Sequence, residues 1–193
     1  MPVGLGVPVD QRNRTPGHGR REDVGGAMFD TGDAIVHPTR GVGVIVNIQE
    51  REWQGSSSRY YQIELLGSEP TLKLLIPVEE AEGLGLRRAI ESSEIDQVWK
   101  VLTSKPNELP SNHKTRHSQL RDKLHDGDIY QTAEILRDLT WRQKKEDHLT
   151  TRGKRIYDNA LVFLAGEVAA AQDTDVAEAE AQIRERLQEI RHT

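Results

Sequence analysis

The sequence predicts an α+β protein in which a small β-barrel, residues 28–88, precedes a compact helical domain of about five helices, residues 89–193. Two observations predict this class. Short runs of strand-forming residues, separated by Gly, Pro, Asn, Asp and Ser, fill the first region. Beyond Gly85 the apolar residues recur every three or four positions, which indicates amphipathic helices.

Residues 1–27 precede the patterned part of the chain. They are rich in Gly, Pro and Arg and show no apolar period. Such a composition cannot bury enough apolar surface to offset the entropy of ordering, so we expect a disordered tail. Met28 directly precedes the first patterned segment, and an internal start codon there is an alternative reading.

Four segments between residues 29 and 88 have strand-like patterning: FDTGDAIVHP, GVGVIVNIQEREW, SRYYQIELLG and TLKLLIPVEEA. They are separated by turn-forming pairs such as Gly32-Asp33, His37-Pro38 and Gly67-Ser68. Four or five strands joined by tight turns over about 60 residues predict a small, strongly bent barrel.

Each predicted helix begins beside a residue whose side chain can accept a hydrogen bond from a free backbone N–H. The first helix, in SSEIDQVWKVL, places Ile95, Val98, Trp99 and Leu102 at helical spacing. The capping candidates for the later helices are, in chain order, Ser111 or Asn112, Asp128, Thr150 or Thr151, and Thr174 or Asp175. The fifth helix is highly charged with a thin apolar stripe, so we expect it to lie across the outside of the bundle.

The composition excludes several kinds of site. The chain has no cysteine, which excludes a disulfide framework, a thiolate metal site and a cysteine nucleophile. No run of about 18 apolar residues occurs, and the N-terminus lacks the apolar core of a secretion signal. These features predict a soluble, cytoplasmic protein.

Two histidines raise the question of a metal site. His113 and His117 are four residues apart on one predicted helix, which is a spacing found in metal-binding pairs. However, HKTRH lacks the glutamate of a zinc protease motif, places cations beside the histidines, and offers no obvious third ligand. We therefore predict no catalytic residue, no metal and no cofactor. A zinc-dependent hydrolase is an alternative that would require bound zinc.

Charge is distributed unevenly along a chain whose formal net charge is −5. Residues 28–103 carry 7 Lys and Arg against 12 Asp and Glu, whereas residues 104–160 carry 12 against 9. Lys114 and Arg116 lie at the start of the second predicted helix, and Arg152, Lys154 and Arg155 lie at the start of the fourth. Helix N-termini present free N–H groups and a positive dipole end, which favours phosphate. A solvated polar face is the alternative interpretation.

The order of these elements resembles one known family. A segment FDTGDAIVHPTRGVGVI opens the barrel, IPVEEAEGLGLR ends it, and LPSNHKTRH, DGDIYQTAEILRDL and GKRIYDNALVFLAGEVA follow in the helical part. Over residues 28 to 170 this pattern resembles the CarD family of bacterial transcription regulators (CarD/CdnL-type). The resemblance implies a Tudor-like barrel that docks on the β subunit of RNA polymerase. It also implies a helical domain that contacts promoter DNA at the upstream edge of the melted bubble, with no catalysis.

The resemblance assigns expected roles to individual residues. Docking on polymerase would use Arg51 and the run from Leu72 to Pro77, in which Lys73 and Leu75 face outward while Leu72, Leu74 and Ile76 fill the barrel. The DNA-contacting residues would be His113, Lys114, Arg116 and Lys154. Family members commonly have a tryptophan wedge where this chain has His113, whose smaller ring predicts weaker stacking. Trp99 and Trp141 are expected to pack in or beside the helical core.

With this resemblance we expect a transcription regulator that binds the RNA polymerase β subunit and stabilises the open promoter complex. Its partners would be polymerase and promoter DNA, the latter bound weakly and without sequence specificity. We expect a monomer that associates with the nucleoid through polymerase and has no membrane partner. The alternative is a polymerase- or repair-factor-binding interaction module without DNA contact, which pairing of the basic segment with the acidic fifth helix would favour.

Overall fold

The computed structural model describes residues 28–53 and 56–192, so the predicted disordered tail lies outside the described residues. The strands are β1 Ala34–His37, β2 Gly41–Trp53, β3 Ser56–Leu65, β4 Lys73–Pro77 and β5 Arg87–Arg88. The helices are α1 Ile95–Thr103, α2 His113–His125, α3 Ile129–Glu146, α4 Thr151–Gln172 and α5 Val176–His192. Strands thus precede helices, which confirms the predicted α+β class. No helix of the described region is long and apolar enough to cross a bilayer.

The five strands form one antiparallel sheet in the order β4-β3-β2-β1-β5. Pairing among the described residues leaves β4 and β5 as edges, so the sheet is bent but does not close as the predicted barrel would. One reason is the length of β5, which offers only Arg87 and Arg88 and uses them to pair with β1. The register of β2 against β3 shifts between Ile45 and Asn47, a bulge that increases local twist.

One face of the sheet carries its own apolar core. Ile35, Ile45, Tyr61 and Ile63 are fully buried there, and the Phe29 ring lies 5.7 Å from that of Tyr61. The backbone N–H of Phe29 also donates a hydrogen bond of 3.1 Å to the Tyr61 hydroxyl. This bond satisfies the buried phenol, so the polar atom is tolerated inside the core.

The helices share a second core, and most of the predicted caps are present. The side chains of Asn112, Asp128 and Thr150 accept hydrogen bonds from backbone N–H groups of the first turns of α2, α3 and α4. Asp175 does the same for Glu178 in α5. The predicted stripe of α5 is buried at Ile183 and Leu187, together with Ala179, so this helix packs onto the bundle through a continuous face.

The sheet and the helices are joined by one buried ion pair. The guanidinium of Arg87, in β5, donates to both carboxylate oxygens of Glu167 in α4, at 2.6 and 3.0 Å. The same guanidinium donates to the carbonyl of Gly127 in the turn before α3, with an Nε–O distance of 3.0 Å. Glu167 is 3% exposed and Arg87 35% exposed. Arg87 of the sheet therefore contacts both α4 and the turn that leads into α3.

Close backbone packing supports the same junction. A Cβ atom built on Gly166 of α4 would lie 2.9 Å from Cγ2 of Val42 in β2, nearer than such atoms normally approach. Only glycine allows α4 to lie this close to the sheet.

We expect Arg87→Met to lower the free energy of unfolding by about 3 kcal/mol, because it leaves the buried Glu167 carboxylate without a cation. Urea denaturation measures this loss. Arg184→Met is the matched control, since it removes an exposed pair with Glu180 and should cost less than about 1 kcal/mol. Equal losses in the two variants would contradict a structural role for the buried pair.

Candidate nucleic-acid interface and exposed sheet face

The start of α2 is built by an asparagine cap. The Asn112 Oδ1 atom accepts hydrogen bonds from the backbone N–H groups of Lys114, at 2.9 Å, and Thr115, at 3.2 Å. His113 and Lys114 follow the cap directly, and both are exposed. The cap therefore orders the helix start while leaving these two predicted DNA-contacting side chains in solvent.

Arg116 occupies a different environment from the one expected of a phosphate contact. Only 5% of the residue is exposed, and its guanidinium donates to the carbonyls of Pro110, at 2.6 Å, and Ser111, at 3.1 Å. Burial, assisted by the neighbouring charge of Arg142, lowers the pKa of this guanidinium. The structure thus places Arg116 beneath the surface, where it orders the segment leading into α2. Its predicted effect on DNA binding would act through that segment.

The start of α4 lies beside the start of α2. The Thr150 hydroxyl accepts a hydrogen bond from the backbone N–H of Gly153, and His117 Nε2 lies 3.2 Å from the same hydroxyl oxygen. A single threonine therefore caps α4 and contacts α2. Residues 117 and 150 are far apart in the chain, and α3 lies between them in sequence.

A groove with a volume of about 510 Å³ lies between these two helix starts. It is lined by Lys114, His117, Ser118, Arg121, Arg152, Arg155 and Ile156. Four cations thus share one concave surface, and it adjoins the N-terminus of α4. Of the predicted DNA-contacting residues, Lys114 lines the groove, while His113 and Lys154 are exposed near it in sequence but do not line it.

Arg152 and Arg155 belong to the predicted basic segment but not to the DNA-contacting residues that the resemblance implies. The signal that distinguishes them is their spacing, because residues three apart lie on one side of a helix, whereas Lys154 is turned well away from Arg152. Within the described region, Lys114, Arg152, Lys154 and Arg155 form no ion pair with a carboxylate, and so none with the acidic α5. Lys114, Arg152, Lys154 and Arg155 are therefore available to an anionic partner.

His117 lies between the cations of the groove. Burial is the main cause that lowers the pKa of its imidazole below the usual 6.5, and Arg116, Arg152, His113 and Arg142 lower it further. Its Nδ1 atom is buried without a hydrogen-bond partner. An anion placed in the groove would oppose this effect, because negative charge favours the imidazolium.

His113 and His117 lie on one side of α2, one turn apart. Their ring centroids are 6.4 Å apart with a T-shaped arrangement. Among the side chains that the structure describes, no three His, Asp or Glu residues are grouped as a metal ion would require.

The predicted polymerase-contacting residues share the other face of the sheet. Leu75 pairs with Gln62 and Arg51 pairs with Ser58, and positions 58 and 62 project from the same side of β3. Lys73, opposite Glu64, belongs to this outer face too and forms a 2.8 Å ion pair with that glutamate. Lys73 and Leu75 therefore face outward as expected. We call this surface, with Arg51, the outer sheet face.

The alternate residues near β4 were expected to fill the barrel. Ile76 is 5% exposed and Leu74 packs against the sheet core, which agrees with that expectation. Leu72 does not: it is 55% exposed. The reason is its position in the turn before β4, where its N–H is bonded to the Ser68 hydroxyl and its side chain does not follow the alternation of the strand.

Comparisons with known proteins match both parts of the chain. Residues 29–90 match the family model described as the CarD-like/TRCF RID domain, and residues 97–184 match the CarD C-terminal domain. A curated protein of Bacillus subtilis (strain 168), named "Putative transcription factor YdeB", is 31% identical over 141 residues. These residues are 73% of this chain and 90% of that protein. The similarity therefore includes both the outer sheet face and the basic groove.

Replacing Arg116 tests its role in ordering the segment before α2. Arg116→Met should lower the free energy of unfolding by about 1–3 kcal/mol, because the carbonyls of Pro110 and Ser111 lose their donor. Lys114→Met, an exposed cation on the same turn, should change it by less than about 0.5 kcal/mol. Thermal or urea unfolding compares the two, and an Arg116 variant as stable as the Lys114 variant would show that the guanidinium does not order the segment.

The lowered pKa of His117 predicts a pH dependence of stability. The unfolded chain binds a proton at this site below about pH 6.5, whereas the folded chain resists it. The stabilisation is therefore complete above that pH and is lost as the pH falls through the lower folded pKa. His117→Gln should lose less stability on acidification, measured by urea unfolding across this window. An NMR titration placing the folded pKa at or above 6.5 would contradict this account.

Proposed function

The chain belongs to the CarD family of bacterial transcription regulators, and from that premise we propose that it binds RNA polymerase through its sheet and stabilises the open promoter complex through its helices. The observation that carries the DNA-contacting part is the groove between α2 and α4. There, four cations and the N-terminus of α4 border one groove, whose volume is about 510 Å³. The polymerase-contacting part rests on the family assignment of residues 29–90.

The groove suits the phosphate backbone of DNA. Lys114 and Arg121 approach from α2, and Arg152 and Arg155 approach from the first turns of α4. A phosphate between them gains attraction from these charges and from the positive end of the α4 dipole. Contacts of this kind hold the backbone and read no sequence, so the proposed binding is largely independent of base sequence.

Binding to free DNA should be weak. The groove holds four cations, and the chain as a whole is acidic, with a formal charge of −5. Each phosphate contact contributes to the salt dependence of affinity, so about three to five contacts give a modest slope. A polymerase-bound copy would hold the groove beside the DNA, which raises its effective concentration and makes a weak contact sufficient.

The outer sheet face is proposed to dock on the polymerase β subunit. Arg51, Lys73 and Leu75 project from it, and Leu75 is 43% exposed. The adjoining strand β4 is an edge of the sheet, with backbone groups available on one side. Addition of a strand from the partner to this edge is a common mode of recognition. Side chains on the outer face would then select the partner.

His113 is proposed to lie at the edge of the melted DNA. Its ring is exposed at the start of α2, directly beside Lys114 of the groove. An imidazole has less stacking area than an indole, so its contact with a base should contribute less than the roughly 1–3 kcal/mol typical of aromatic stacking. In this proposal the groove cations supply most of the DNA contact.

The alternative function is an interaction module that binds polymerase or a repair factor without touching DNA. That alternative would be favoured if the acidic α5 neutralised the basic segment. Lys114, Arg152 and Arg155 have no carboxylate partner in the part of the chain that the structure describes, which favours DNA contact instead.

Charge reversal in the groove tests the proposal. Arg152→Glu and Arg155→Glu, both in the groove, should each shorten the lifetime of the open promoter complex by roughly tenfold, which corresponds to about 1.4 kcal/mol. Capture of polymerase by the tagged variants should be unchanged, since neither residue lies on the outer sheet face. An in vitro transcription assay with a competitor chase measures the lifetime.

Two controls separate the surfaces. Lys100→Glu reverses an exposed cation on α1, outside the groove, and should leave both measurements unchanged. Leu75→Glu should reduce polymerase capture and, as a consequence, the lifetime. Open complexes that persist equally long with Arg152→Glu would refute the DNA-contacting part, and capture unaffected by Leu75→Glu would refute the docking part.

A further inference from the structure

A second cleft, separate from the basic groove, lies beside Trp141. Its volume is about 480 Å³. The lining residues are Thr103, Ser104, Lys105, Pro106, Glu108, Trp141 and Lys145. Trp141 is partly exposed, and the rest of its ring packs against the helical core. The cleft thus combines a firmly seated indole, a proline and two lysines.

The walls of this Trp141 cleft are fixed by a buried polar network. Arg137 of α3 donates to the Ser104 hydroxyl at 2.6 Å and to the Val101 carbonyl at 3.1 Å. Its neighbour Asp138 accepts from Arg137 Nε and from the backbone N–H of Asn107, at 2.8 and 2.9 Å. These bonds tie segment 103–108 to α3. The cleft is therefore preformed, and occupying it costs little ordering of the chain.

The charge around the indole is positive. Lys144 Nζ lies 4.9 Å and Lys145 Nζ 6.0 Å from the ring centroid, which are cation–π distances. Within the described chain Lys105, Lys144 and Lys145 form no ion pair, and Glu108 is the one acidic residue that lines the cleft. Lysine side chains are flexible, so these ammonium groups can leave the ring for a phosphate.

The cleft is near the proposed DNA-contacting surface. Segment 104–112, which begins at the cleft, leads directly into α2, whose first turns line the groove. Arg142, which follows Trp141, lies close enough to lower the pKa of both Arg116 and His117. The C-terminal turns of α3 and the start of α2 are therefore neighbours.

We propose that the Trp141 cleft binds an unpaired nucleotide, with its base stacked on the indole and its phosphates beside Lys144, Lys145 and Lys105. The proposal rests on the proposed function, because it assumes that DNA reaches this end of the molecule. An indole and cations together form the usual surface for single-stranded nucleic acid. A duplex base has both faces covered by its neighbours, so the cleft selects single strands. This surface supplies a stacking area that His113 lacks.

Tryptophan fluorescence tests the proposal directly. The chain has 3 tryptophans, so Trp53→Phe/Trp99→Phe leaves Trp141 as the reporter, and Trp53→Phe/Trp141→Phe leaves Trp99. Each is titrated with oligothymidylate of about 12 nucleotides and with a duplex of equal length. Single strands should quench Trp141, duplex should quench it less, and Trp99, which Arg186 covers at 4.0 Å, should not respond. Equal responses of the two reporters, or of the two DNA forms, would overturn the proposal.

Affinity measurements give a second, independent readout. Trp141→Ala should weaken binding of the single strand by roughly tenfold, whereas Trp141→Phe should stay within about threefold of the parent chain. Because Trp141→Ala removes part of the core, Lys144→Gln/Lys145→Gln provides an exposed substitution that should weaken the same binding. Unchanged affinity in this double variant and in folded Trp141→Ala would overturn the proposal.

Arg152→Glu separates this inference from the proposed function. Suppose that Arg152→Glu weakens DNA binding, that DNA does not quench Trp141 fluorescence, and that Trp141→Ala leaves the affinity unchanged. The cleft proposal then fails and the groove proposal stands. If Arg152→Glu, Trp141→Ala and the lysine double variant all leave DNA binding unchanged, both proposals fail.

Discussion

The structure depends on the ion pair between Arg87 and Glu167. A guanidinium from the last strand reaches a buried carboxylate in α4 and a carbonyl in the turn before α3, so the sheet and the bundle are held by one group of charge-assisted hydrogen bonds. Replacing such a pair by apolar packing is often nearly neutral, whereas removing one partner leaves a buried charge uncompensated. Here the pair links β5 to α4, so it connects the sheet that carries the outer face to a helix that lines the basic groove.

Local sequence signals predicted most of the secondary structure. Asn112, Asp128 and Thr150 cap helices because short polar side chains reach the free N–H groups of the following turn, and that chemistry is readable from neighbouring residues. Closure of the sheet was less predictable, because it depends on how many residues β5 can pair. The open sheet follows from a strand of two residues, a length that no periodicity reveals.

For the basic groove, the sequence reveals which cations are present but not how they are arranged in space. The excess of cations at the starts of the second and fourth helices is visible in the sequence. The structure brings both starts to one groove, where His117 of α2 contacts the Thr150 cap of α4. The burial of Arg116 could not be read in the same way. It depends on the carbonyls of Pro110 and Ser111 turning toward the guanidinium, which is a property of the folded segment. Arg152 and Arg155 were distinguishable from Lys154 only by helical spacing.

Gly166 carries a consequence for how the family can diverge. A Cβ atom at this position would lie 2.9 Å from Cγ2 of Val42, so even alanine would push α4 away from the sheet. Such a change would alter none of the residues proposed to contact polymerase or DNA. The variant would keep both proposed binding surfaces but hold them in a different relative position. A screen that measures polymerase binding and DNA binding separately would not detect this defect.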